Sequence, residues 1–111
     1  MHNNNIAILD RLCDLLNKLL HINICVDYSA TNTNVTNIIC HSNAITVILF
    51  THADNSIHIK KDMIPDTQLL ERFLTICNIK YTNHQFTYVS KITDIPNTLF
   101  TDNMETLVKL I

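Results

Sequence analysis

Four cysteines (Cys13, Cys25, Cys40, Cys77) and six histidines (His2, His21, His41, His52, His58, His84) are the residues of this 111-residue chain best equipped for chemistry. Together they invite a zinc site. Zinc takes nitrogen and sulfur ligands, commonly delivered by a CxxC step or by two histidines one helical turn apart. The chain has no CxxC and no histidine pair at i, i+4. The best remaining cluster is Cys40, His41, His52 and His58, around two hairpins, where the side chains need not converge. The expectation is no metal and no cofactor.

A Cys–His nucleophile pair would meet in space rather than in sequence, so spacing leaves it open. No cysteine sits at a glycine-flanked strand-to-helix turn or at an apparent helix N-terminus, where a thiolate is favoured. Phosphate-cradling loops need glycine, and the chain contains none. Asp62 and Asp66 lie on either side of Pro65, where loop solvation and helix capping explain them better than acid–base work. No catalytic residue is assigned, and the chain reads as a non-enzyme.

The elements that would position these residues follow from hydrophobic periodicity. Residues 6 to 20 read as an amphipathic helix, with Ile8, Leu9, Leu12, Cys13, Leu15, Leu16, Leu19 and Leu20 at helical spacing. The apolar stripe covers about half the circumference, wider than a helix lying on one sheet usually needs. One edge is therefore expected to pack inward and the other to meet a partner, through Ile8, Leu12, Leu15, Leu16 and Leu19. Residues 22 to 28 alternate as a half-buried strand, Ser29 to Asn34 read as a loop, and Val35 to Cys40 as a second strand. Ala44 to Phe50 is apolar on both faces, hence central. Ser56 to Lys60 is a fourth strand, with Ile57 and Ile59 inward.

Short connections suit antiparallel hairpins. Without glycine, Asn and Asp must supply left-handed turn residues, with Asn43 and Asn55 as candidates. Pro65-Asp66 opens a second helix running to about Asn78, with Leu69, Leu70, Phe73, Leu74 and Cys77 apolar. His84 to Lys91 is a fifth strand, with Phe86 and Tyr88 on one side. Asp102 and Glu105 have capping-box spacing for a last short helix. The fold class is α+β, a mainly antiparallel sheet of about five strands with three flanking helices. Residues 1–5 read as a disordered N-terminus and 6–111 as a single domain.

Composition narrows the function classes. The net charge is −2, and no basic cluster exceeds Lys60-Lys61. Direct nucleic-acid binding, which rests on many phosphate contacts, is not expected. The longest apolar run, Ala44 to Phe50, is far below the ~20 residues that span a bilayer. No secretory signal is apparent, so the cysteines are expected to be reduced. Charged residues make up 16%, against roughly 25% in an average domain. A surface carrying Asn and Thr in place of Lys and Glu suits a subunit of a complex; codon drift gives the same composition.

The Asn/Ile-rich, glycine-free texture suggests a viral reading frame. The stretches LCDLLNKLLHINICVDY, continuing into NTNVTNIICHSNAITVILF, and IHIKKDMIPDTQLLERFLTICNIKYTNHQF resemble the small nucleocapsid-associated P12 proteins of alphabaculoviruses. The likeness runs over nearly the whole chain, and the mass of 12.8 kDa agrees with that name. The resemblance implies a non-enzymatic structural and assembly subunit of a nucleocapsid. It implies a hetero-oligomeric complex with other viral capsid proteins, including a forty-two-kilodalton one, and a link to actin accumulation in the host nucleus. Location in host cytoplasm, nucleus and virion nucleocapsid follows from it. The family supplies no catalytic or ligand residues to carry over. The alternative is a soluble viral module that binds a host protein without entering the particle.

Overall fold

The computed structural model describes residues 2–27, 37–97 and 99. It contains helix α1 (His2–Leu20), strands β1 (Cys25–Val26), β2 (Asn37–Ser42), β3 (Ile45–Thr51) and β4 (Ser56–Lys60), helix α2 (Thr67–Ile76), and strands β5 (Thr82–Asn83) and β6 (Thr87–Lys91). Single 3₁₀ turns follow β4 and β6, at Lys61–Met63 and Ile92–Asp94. The six strands form one sheet in the order β1-β2-β3-β4-β6-β5, and every pairing is antiparallel. The class is α+β with two helices among the described residues. The helix expected after Asp102 lies outside them, as do the loop from Ser29 to Asn34 and Tyr28.

Register explains the core. Directly paired residues share a face of an antiparallel sheet. One such row is Val26, Cys40, Ile48, Ile59 and Tyr88, and the next is Ile38, Phe50, Ile57 and Ser90. All nine are buried. The eight other than Ser90 form one cluster with Leu9, Leu12, Leu15 and Leu16 of α1 and Leu70, Phe73 and Leu74 of α2. The helices therefore cover one face. The other face carries Ile39, Leu49, His58 and Val89 in a single half-buried row.

The left-handed positions fall largely on asparagine, and both expected residues are among them: Asn43 (φ 51°) and Asn55 (φ 59°). Asn78 (φ 60°) ends α2. There Ile79 N–H donates to Leu74 C=O at 2.8 Å and Asn78 N–H to Thr75 C=O at 3.1 Å. These are the two bonds of a Schellman cap, and the buried Ile79 and Leu74 supply its apolar contact. α1 ends alike: His21 has φ 56°, and Ile22 N–H donates to Asn17 C=O at 3.3 Å. Asn17 then ties the exit segment to the helix, bonding both the N–H and the C=O of Ile24 through its amide (2.6 and 2.8 Å).

Ala44 (φ 66°) is the costly member. It follows Asn43 in a two-residue turn between β2 and β3, where both central residues have positive φ, as a type I′ hairpin requires. An alanine Cβ there costs roughly 1–2 kcal/mol. Ala44→Gly is expected to stabilise the protein by about 1 kcal/mol, read as a raised urea midpoint with an unchanged m-value.

Several boundaries differ from the sequence reading. α1 starts at His2 and so runs through the segment expected to be disordered. β1 is only two residues long, although the alternation is right: Ile24 and Val26 are buried, Asn23 and Cys25 exposed. Pro65 stands before the N-cap of α2 instead of inside its first turn. The cap is Asp66, whose carboxylate accepts from Leu69 N–H at 3.0 Å. The expected strand from His84 to Lys91 is a hairpin arm, because the chain turns at 84–86 and adds β5 as a sixth strand. Phe86 lies in that turn and is 72% exposed, so it does not share a buried face with Tyr88.

Candidate functional site

The chemistry-bearing side chains fall in four places. Around the β3–β4 turn, Asp54 Oδ1 accepts from Thr51 Oγ1 (2.6 Å), Ser56 Oγ (2.6 Å) and Ser56 N–H (3.1 Å). Ser56 Oγ lies 2.9 Å from His58 Nε2. Thr51 and Ser56 are directly opposed across the ladder, and Ser56 and His58 share a face, so strand geometry assembles the cluster. Aspartate bonding the N–H two residues ahead is an Asx turn. This signal was present in Asp54-Asn55-Ser56 and went unread.

A Ser, His and Asp within hydrogen-bonding reach raise the question of a catalytic triad. The connectivity answers it. A triad needs the carboxylate on the imidazole, so that the base can accept the serine proton. Here the carboxylate holds the serine itself. With the Ser56 proton given to Asp54, His58 Nε2 must donate to the serine oxygen and offers it no lone pair. Ser56 is also only 3% exposed. The cluster is a brace for the turn.

The hydroxyl and amide donors hold the Asp54 carboxyl down to about 2, with the Ser56 hydroxyl the largest contributor. On the helix side, Tyr88 Oη donates to Glu71 Oε2 at 2.5 Å. Burial, then the Glu71 carboxylate, pushes the Tyr88 phenol up to about 12. The Asp54 contribution to stability is complete above pH 3.8, its usual value, and disappears as pH falls through 2. The Tyr88 contribution is complete below pH 10 and disappears as pH rises through 12. Stability is expected to lose the first on acidification and the second in alkali. Tyr88→Phe should flatten the alkaline limb and Asp54→Asn the acid limb of a melting-temperature profile.

The cysteines are all free thiols, three buried and Cys25 exposed. The Cys13 thiol is pushed up by its hydrogen bond with Cys40, burial and nearby charge. On the opposite face Cys25 Sγ is 3.9 Å from His41 Nδ1, its cross-strand partner. The four residues weighed as a metal cluster separate: Cys40 is in the core, His41 beside Cys25, His52 edge-on to Phe50 at 4.8 Å, and His58 on Ser56. No group of three or more His, Cys, Asp or Glu able to hold a metal occurs among the described residues.

The surplus apolar edge expected on α1 is not there. Leu12, Leu15, Leu16 and Leu19 are all buried in the chain's own core, and Ile8 is half-buried against it. The stripe is wide because α1 packs on β1, β2 and also α2, so each ridge finds a neighbour within the chain. Arg11 Nε also reaches the carbonyl of buried Leu99 at 2.8 Å.

Exposed apolar side chains lie elsewhere. Phe86 is joined by Ile45, 53% exposed. β3 begins at Ile45 and pairs with β4 so that Ile45 lies toward the Lys60 end; Lys60 faces Thr87, next to Phe86. Lys61 N–H donates to Phe86 C=O at 3.0 Å, and its ammonium sits over the Tyr88 ring, 4.8 Å from the centroid. One end of the sheet thus presents two apolar side chains beside two lysines. Among the described residues no helix is long and apolar enough to cross a membrane. No family model, no curated protein and no solved structure matches the chain.

Proposed function

We propose that the chain is a non-enzymatic structural and assembly subunit of a baculovirus-like nucleocapsid, acting by binding other capsid proteins. Its role in nuclear actin accumulation is then exercised through that complex. The observation that carries the interaction reading is Phe86, held out at a hairpin turn with Ile45 at the same end of the sheet. An aromatic side chain left in water at a fixed position gains by entering a partner's pocket, and aromatic anchors dominate the energetics of interfaces. The link to nucleocapsids rests on the likeness of the quoted stretches to the P12 family.

The test is the amount of chain in purified nucleocapsids, measured by quantitative mass spectrometry with and without Phe86→Asp. A fixed copy number per particle, lost on Phe86→Asp while the melting temperature of the free protein is unchanged, is expected. Absence of the wild-type chain from particles, with a host protein bound instead, would favour the soluble host-binding module.

A further inference from the structure

Three shallow cavities meet at Tyr81. The largest, about 450 Å³, lies between α2 and Tyr81, against Glu71, Arg72 and Ile76. A second of about 310 Å³ continues past the end of α2 along Ile79 and Lys80. The third, about 300 Å³, lies over Thr82, Val89 and Lys91. They flank β5, the first on the helix side and the third over Val89 on the other face, and β5 is the last strand of the sheet among the described residues.

The hydrogen-bonding state of that edge follows from the hairpin. His84 N–H donates to Thr87 C=O at 2.9 Å, so this is a hydrogen-bonded pair. Alternation along an antiparallel ladder makes Thr82–Val89 the next such pair and Asn83–Tyr88 a non-hydrogen-bonded one. The backbone N–H and C=O of Asn83 therefore point away from β6, on the side where no further strand pairs among the described residues. An edge of this kind beside a helix-lined cavity is the geometry in which an extended peptide adds a strand, backbone bonds giving affinity and side-chain pockets giving selectivity.

Charge selects the occupant. Lys80, Lys91 and Arg72 are exposed around these cavities. Against these three cations the lining sets two acids, Glu71 and Asp94, so it is net positive; Lys91 Nζ also donates to Asp54 C=O at 3.2 Å. We infer that the β5 edge takes up an extended acidic segment of a partner protein as a seventh strand, with an apolar side chain in the α2–Tyr81 cavity and carboxylates toward Lys80 and Lys91. This rests on the reading of the chain as a protein-binding subunit and names a second surface for it, beside the Phe86 turn.

The probe is a fluorescein-labelled ten-residue peptide alternating valine with glutamate, and a second with lysine in place of glutamate. Both are titrated into the full chain and followed by anisotropy and by amide shifts. The glutamate peptide is expected to saturate, moving amides of 79–84 and of α2. Asn83→Pro removes the outward N–H of an edge position, which an edge strand tolerates, together with the side-chain amide that accepts from Lys61 Nζ, a loss that Asn83→Ala shares. Asn83→Pro and Lys80→Glu should each weaken binding by about tenfold or more, while Asn83→Ala, which keeps the N–H, should stay within about twofold. If Asn83→Pro lowers the melting temperature, Lys80→Glu and the wild-type shift map decide. No saturable binding, equal binding of the lysine peptide, shifts confined to other elements, or sedimentation showing this edge paired with a second copy would each overturn the inference. Unchanged entry of Asn83→Pro into nucleocapsids also overturns it while leaving the assembly reading intact. Absence of the wild-type chain from particles sinks that reading alone.

Discussion

Leu16→Asp is expected to leave the protein unfolded at room temperature. Leu16 is fully buried among α1, the sheet and α2. Truncating such a leucine to alanine costs ~2–5 kcal/mol, because the surrounding side chains close the cavity only in part. Aspartate adds a carboxylate with no cation to meet it, and burying an unpaired charge costs several kcal/mol more. The sum rivals the ~5–15 kcal/mol that holds a typical domain together. Leu12→Asp, Leu15→Asp and Leu19→Asp are expected to behave alike, whereas half-buried Ile8 should accept aspartate with a measurable but smaller loss. Far-ultraviolet circular dichroism of the five variants reads the outcome directly. A folded, partner-deficient Leu16→Asp would restore a partner-facing edge to α1.

Phe50→Ala should carry the second large effect, about 3–5 kcal/mol. Phe50 is fully buried on β3, opposite Ile38 of β2 and Ile57 of β4, with His52 edge-on against its ring. Its loss opens a void under the middle of the sheet, between strands whose ladders hold the backbone at fixed spacing and prevent collapse. Urea titration with tryptophan-free readout, by circular dichroism, should show the midpoint falling with little change in slope. A loss under about 1 kcal/mol would mean that the helices settle into the space.

Much of this architecture could be read from residue patterns where one physical cause dominates. Alternation placed Ile57 and Ile59 inward, and the scarcity of permissive turn residues pointed to Asn43 and Asn55. Both are local effects. What could not be read was how much neighbouring surface each element would find. The α1 stripe looked too wide for a single sheet because its second neighbour, α2, lies about fifty residues away in sequence and nothing local announces it. Phe86 misled for the converse reason: it alternates correctly with Tyr88, but the chain has already turned at 84–86. The Asx turn at Asp54 is local to Asp54-Asn55-Ser56, but the Thr51 half of the brace depends on Thr51 and Ser56 facing each other across a ladder, which follows from register and not from spacing. The cavities at Tyr81 draw on α2, β5 and β6, and no stretch of sequence contains them.

The strand order has a consequence for synthesis on the ribosome. β4 is complete at Lys60, but the strand that covers its free side, β6, begins only at Thr87. During translation β1 to β4 can therefore pair while the outer edge of β4 remains open, with Ile57 and Ile59 exposed to any neighbouring nascent chain. Open edges of this kind are where aggregation starts, and interrupting charges are the usual protection. Lys60, next to Ile59 at the end of β4, supplies that protection until α2 and β6 arrive. The interval between Lys60 and Thr87 is thus the stretch of elongation in which this chain is most exposed to mispairing, and in which a chaperone or an early-binding partner would have the most to shield.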